Sequence, residues 1–153
     1  MKTIKIGDKD YKIEFTIEAS LFNECTEKVT GLMYAMSEAG NAENIKNMIS
    51  SMSDIPQTTL TMFYAGLLEH HGEDGDKSVL SKNDAKKLIK QYFKEHSEDE
   101  TGNFYGFMEI LIGQMVDDGF FNQIGLVQVA NQTKEQKKTV SVAKKGTSRT
   151  TEK

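Results

Sequence analysis

The sequence predicts a mainly α-helical fold: a small domain of about five to six helices with an N-terminal β-hairpin and a disordered C-terminal tail. Three observations predict it. Apolar residues recur at i, i+3, i+4 and i+7 through most of the chain, the period of one helical face. A single proline, with many Lys, Glu, Met and Leu, favours helices over a turn-rich sandwich. Only the first fifteen residues or so alternate apolar with polar, the period of a strand. The chain has 153 residues, of which 37% are hydrophobic, enough for one domain with a sizeable core.

Thr3–Ile6 and Tyr11–Phe15 alternate around Gly7-Asp8-Lys9-Asp10, with Ile4 and Ile6 on one face and Tyr11, Ile13 and Phe15 on another. This is a hairpin pattern. Two strands alone are marginal in water, so the hairpin must lie on helices or pair with another chain's edge. Thr16 is placed to cap a helix whose stripe is Ala19, Phe22, Cys25, Val29, Leu32, Met33 and Met36, ending near Gly40, with a bend at Thr30-Gly31. Ile45, Met48, Ile49 and Met52 give Asn41–Met52 the spacing of a short helix. Ile55-Pro56 marks a boundary, because a residue before proline is pushed out of the helical region. The next helix carries Leu60, Phe63, Tyr64, Leu67, Leu68 and His71, with Gly66 in its middle.

His70-His71 and the acidic run to Asp76 invite a metal-site reading. Adjacent residues on a helix diverge by about 100°, however, and poorly chelate one ion. Counted from Asp74, the run puts Val79 where a calcium loop needs Gly and Ala85 where it needs Glu. The pattern fits a helix C-terminus, where His opposes the dipole, followed by a polar loop. Ser81-Lys82-Asn83-Asp84 resembles a capping box with Asp in place of Glu. The helix behind it buries Ala85, Leu88, Ile89, Tyr92, Phe93 and His96 and turns Lys82, Lys86, Lys87, Lys90 and Lys94 to solvent. Ser97–Glu100 is an acidic linker.

Thr101–Leu126 is the stretch around which the chain is expected to be organised. Phe104, Phe107, Met108, Leu111, Ile112 and Met115 form one stripe, capped by Thr101 and stopped at Asp117-Asp118-Gly119. Gly106 and Gly113 lie seven apart on another stripe, predicting a helix packed close against them. Tyr105, Ile110 and Val116 fall off the main stripe, placing this helix centrally or against a partner. Beyond Gly119, Phe120, Phe121, Ile124, Leu126, Val127 and Val129 continue as a short apolar segment. Consecutive phenylalanines cannot both face one core from one helix, so either a turn lets both pack or one is available to a partner. Tyr105, Ile110, Phe120 and Phe121 are therefore the candidate partner-binding residues.

Residues 1–130 form the helical domain on this reading, and 131–153 a polar, basic tail. The net charge of −4 is uneven: the tail holds seven Lys or Arg against Glu135 and Glu152, leaving 12 positive and 21 negative side chains, or −9, on residues 1–130. An acidic body argues against nucleic-acid binding, which needs a basic footprint. No apolar run approaches the 18 or so residues that span a bilayer, and no signal peptide is evident. The one cysteine, Cys25, sits in a helical stripe as a small hydrophobe and fits a reducing, cytoplasmic compartment. No nucleophile–base–acid set, glycine-rich phosphate loop or zinc spacing occurs, so no catalytic residue, cofactor or metal ligand is assigned.

Three stretches together carry a resemblance: the opening MKTIKIGDKDYKIEFTIEAS, the block Met48–Gly72 (MISSMSDIPQTTLTMFYAGLLEHHG) and Glu100–Phe121 (ETGNFYGFMEILIGQMVDDGFF). Over about residues 1–130 the chain resembles the tail assembly chaperone family of long-tailed phages and prophages of Gram-positive bacteria. The resemblance implies a role and supplies no site. It implies a protein made in the host cytoplasm during assembly and absent from the mature virion. Such a protein binds the helical tape-measure protein, keeps it soluble and helps recruit tail-tube subunits around it. It also implies a longer frameshifted form, for which Lys137-Lys138 and Lys144-Lys145 are the places where A-rich slippery codons would lie.

Unbranched methionines suit an adaptable apolar groove. Most of Met33, Met36, Met48, Met52, Met62, Met108 and Met115 are expected in the core, with a minority joining Phe120 or Phe121 to receive the tape-measure helix. Homo-oligomers, formed through the hairpin edge or the glycine stripe, would let several copies coat one client. The competing readings are a phage structural or connector subunit retained in the virion and, last, a metalloenzyme using His70, His71 or His96.

Overall fold

The structure, a computed structural model, describes residues 1–41, 43–44 and 54–126, with residues 36–39 described by their backbone alone. The expected helix over Asn41–Met52 lies almost wholly outside the described residues, as do Val127, Val129 and the tail. What is described is mainly helical behind a two-stranded antiparallel hairpin.

The strands are β1 (Lys2–Ile6) and β2 (Lys9–Ile13), with Ile6 opposite Lys9 and Ile4 opposite Tyr11. Only Gly7 and Asp8 form the turn. Gly7 has φ +63° and Asp8 does not have positive φ, the arrangement of a type II′ turn with glycine first. Lys9 and Asp10, expected in the turn, therefore belong to β2. This register puts Ile4, Ile6, Tyr11 and Ile13 on one face of the sheet, where the sequence suggested two. Ile4, Ile6 and Ile13 are buried beneath it.

The helix expected from Thr16 to Gly40 is two: α1 (Ile17–Leu21) and α2 (Asn23–Ala39). The break falls at Phe22, in extended conformation, and α2 continues through Thr30 and Gly31, where the bend was expected. The reason is phase. Ala19 and Cys25, six residues apart, would diverge by about 120° on one helix, yet both are fully buried here. The Thr26 hydroxyl donates to the Ser20 carbonyl that the break frees, and also to the Phe22 carbonyl, which already accepts from the Cys25 and Thr26 amides. Thr16 does hold the N-cap position of α1, but its hydroxyl donates to Glu69 (2.9 Å) and caps no amide.

The organising element is α3 (Ile55–His71), which packs against β2, α1, α2 and both later long helices, α4 (Lys82–Glu95) and α5 (Phe104–Asp117). The boundary falls here as expected, but Ile55 is the first residue of the helix rather than outside it, and Pro56 sits in the first turn, where its missing N–H costs nothing. It is buried on several sides through Thr58, Thr59, Thr61, Met62, Phe63, Ala65, Gly66 and Leu67. Small residues let neighbours approach closely, and the threonine hydroxyls find partners: Thr61 on Glu24 and Thr59 on the Phe104 carbonyl. Gly66 is the position where close approach is needed. A Cβ there would lie 2.7 Å from Ile13 Cγ2 and 3.1 Å from Phe15 Cζ, and the Gly66 carbonyl accepts from the Glu14 amide at 2.9 Å.

At Ser81 the side chain accepts from the Asp84 amide, as in a capping box, while the Asp84 carboxylate reaches back to the Leu80 amide, one residue before the cap amide that the box engages. Helix α5 is capped by Asn103, whose Oδ1 accepts from the Gly106 amide (2.9 Å), and not by Thr101. Thr101 instead accepts from the Tyr92 hydroxyl. Gly119, at φ +71°, ends α5 as expected and starts α6 (Phe120–Gln123).

The core joins two aromatic groups, Phe63, Tyr92, Phe93, Phe104 and Phe107 beneath α3, and Phe15 with Phe120 beneath the hairpin's end. Side chains of the helices hold the hairpin: Glu95 accepts from the Gly7 amide, His71 Nε2 from Lys12, and Asp118 from Phe15, each at 2.9 Å. Among the described residues no helix is long and apolar enough to cross a membrane.

Candidate partner-binding surface

Of the four candidate residues, Phe120 is not on the surface. Gly119 turns the chain so that its ring enters the core, fully buried and edge-on to Phe15 (centroids 5.6 Å). Phe121 follows it on the flank of α6 and stays partly exposed, so the phenylalanine pair divides.

Tyr105 and Ile110, both partly buried, lie on the outer half of α5. The inner half is Phe107, Met108, Leu111, Gln114 and Met115. At 100° per residue the outer half is Tyr105, Glu109, Gly113 and Val116, flanked by Ile110 and Ile112. Val116 is 61% exposed. Burial, then a hydrogen bond to Glu109, raises the pKa of Tyr105. The outer face is thus a band of apolar side chains interrupted by one carboxylate.

The two glycines of α5 do not serve the expected close-packed helix. A Cβ on Gly106 would strike the Glu100 carbonyl of the preceding loop at 2.1 Å. Gly113 has nothing within 4 Å of where its Cβ would be. It sits in the middle of the outer face with no neighbour among the described residues. The methionines divide similarly: Met62, Met108 and Met115 are buried and Met33 partly so, while Met36's side chain, Met48 and Met52 lie outside the described residues.

Sequence reasoning missed a second exposed pair. Ile17 and Leu21, 66% and 70% exposed and one helical turn apart, project from α1. The missed signal was that they stand off the stripe of Ala19, Phe22 and Cys25.

The histidines are not brought together. His70 meets Glu14 (2.6 Å), His96 meets Asp99 (2.7 Å), and His71 bridges the Lys12 amide and Asp76 (3.0 Å). Because Nε2 of His71 accepts from an amide, Nδ1 carries the proton and the ring is neutral. Burial lowers its pKa, outweighing the upward pull of Asp76. The helix does end at His71 and a loop follows, as expected, with the neutral ring of His71 holding Lys12 and Asp76. Cys25 is buried, and that burial, with Glu24 adding to it, pushes its thiol up to about 12. No group of three or more His, Cys, Asp or Glu among the described residues is placed to hold a metal ion.

No family model, no curated protein and no solved structure matches the chain.

Proposed function

We propose that the protein is a tail assembly chaperone of a long-tailed phage or prophage, which binds the helical tape-measure protein, keeps it soluble and helps recruit tail-tube subunits. On this reading it works by lending apolar surface rather than by catalysis, acts as a homo-oligomer in the host cytoplasm, and leaves before the virion matures. The three resembling stretches suggest the role. The observation that carries it is the outer face of α5, where Val116 is exposed, Gly113 has nothing within 4 Å of where its Cβ would be, and Tyr105, Ile110 and Ile112 are packed on the core yet keep part of their surface open on the flanks. An exposed helix-interior glycine costs about 1 kcal/mol relative to alanine, a cost that a client helix seated against it would offset. Phe121 adds a partly exposed aromatic ring near the end of the same helix.

The test is co-expression with a tape-measure fragment, followed by pull-down and measurement of the soluble fraction. The native chain is expected to retain the fragment in solution. Val116→Asp and Phe121→Asp are expected to fold, judged by unchanged circular dichroism, yet leave the fragment in the pellet. Variants that fold and still hold the fragment would overturn the reading.

A further inference from the structure

A cleft of about 310 Å³ opens between the N-terminal half of α3, one face of α4 and the start of α5. Its floor is Leu60, Ile89, Phe93 and Phe104, and the last two rings meet edge-on at 4.9 Å. Lys86 and Lys90 stand on its rim, one helical turn apart. Residues 86, 89, 90 and 93 follow i, i+3, i+4 and i+7, so α4 presents alternating cation and apolar groups along one strip. The lining holds two lysines and no carboxylate. Both lysines are exposed, and neither forms an ion pair among the described residues. Lys87 and Lys94 extend the positive field along the same helix. This is a local inversion of sign on a body that carries −9 over residues 1–130.

We infer that this cleft is a docking groove for an acidic amphipathic helix of a partner protein. Such a helix would seat one or two apolar side chains on Leu60, Ile89, Phe93 and Phe104 and set its carboxylates against Lys86 and Lys90. The charge decides the occupant. A basic helix would meet two unpaired ammonium groups at the rim, whereas an acidic one is drawn to them while the rest of the surface repels it. The volume lies at the low end of ordinary binding pockets, matching side-chain anchors rather than a buried cofactor. The groove is distinct from the outer face of α5 and does not depend on the client proposed for that face.

The test is fluorescence anisotropy with the full chain and three labelled synthetic helices of about five turns. One has Leu and Phe at i, i+3, i+4 and i+7 with Glu elsewhere, one has the same anchors with Lys elsewhere, and one is Glu-rich with Ala anchors. The first is expected to bind, and to weaken as salt rises from about 50 to 300 mM. The other two are expected to bind at least about tenfold more weakly. The exposed double reversal Lys86→Glu/Lys90→Glu should weaken the first peptide about tenfold or more without changing thermal unfolding. Lys2→Glu, on the hairpin, should leave it unchanged. No binding up to about 1 mM, equal binding of the three peptides, or indifference to the double reversal would each overturn the inference.

Discussion

Gly66 and Gly113 both sit inside long helices, and the structure gives their replacement by alanine opposite signs. In either helix alanine gains about 1 kcal/mol over glycine from backbone entropy. At Gly66 the new Cβ would stand 2.7 Å from Ile13 Cγ2, roughly 1 Å inside ordinary carbon–carbon contact. Neither neighbour has room to yield: Ile13 is 0% and Phe15 1% exposed. The Glu14 amide bonded to the Gly66 carbonyl also fixes the distance between strand and helix. Overpacking of this kind costs about 1–3 kcal/mol, so Gly66→Ala should destabilise the protein by up to about 2 kcal/mol after the helical gain. At Gly113 nothing opposes the methyl, and Gly113→Ala should stabilise by about 0.5–1 kcal/mol. The assay is urea unfolding followed by far-ultraviolet circular dichroism, comparing midpoints at constant slope. A Gly66→Ala protein as stable as Gly113→Ala would refute the packing of β2 on α3 described above.

Two further outcomes follow from the titrating groups. The ring of His71 should titrate below the ordinary histidine value of about 6.5 by NMR, with the Nδ1–H tautomer above it. Since the unfolded chain then binds the proton first, stability should be level above about pH 6.5 and fall as pH drops below it, and His71→Gln should flatten part of that slope. A His71 that titrates at or above the ordinary value would refute the neutral bridge. Cys25, with its thiol held up at about 12, should resist thiol reagents in the native state and react only as fast as the protein opens; rapid labelling without denaturant would contradict its burial.

Periodicity made most of the helices legible, along with the hairpin and the stop at Gly119, because those features depend on neighbours within a few residues. The sequence reading went astray where a decision rested on distant contacts. Phe22 breaks a helix because Ala19 and Cys25 must both reach one core, and nothing local marks it. Thr101 and Asn103 are both fair caps, and the Tyr92 hydroxyl takes the first. The organising role of α3 was hidden because its interface consists largely of Thr, Ala and Gly, which contribute little to an apolar stripe. At the candidate surface, adjacency alone showed that Phe120 and Phe121 cannot both face one core from one helix, but which one turns inward follows from the left-handed Gly119 and the ring of Phe15. The cleft between α3 and α4 was legible only as a row of lysines, since its floor comes from three separate helices.

The bond from the Lys12 amide to His71 bears on how copies of this chain could join. Lys12 lies opposite Thr3 in a rung whose amides point away from the hairpin's own ladder, so this amide lies on the outer border of β2. With an imidazole seated there, and the Gly66 carbonyl taking the next outward amide at Glu14, an incoming strand finds neither donor available along that border. Strand addition along that border is left only the Asp10 amide near the turn, so growth of the two-stranded ribbon is favoured at the opposite border, along Thr3 and Lys5 of β1.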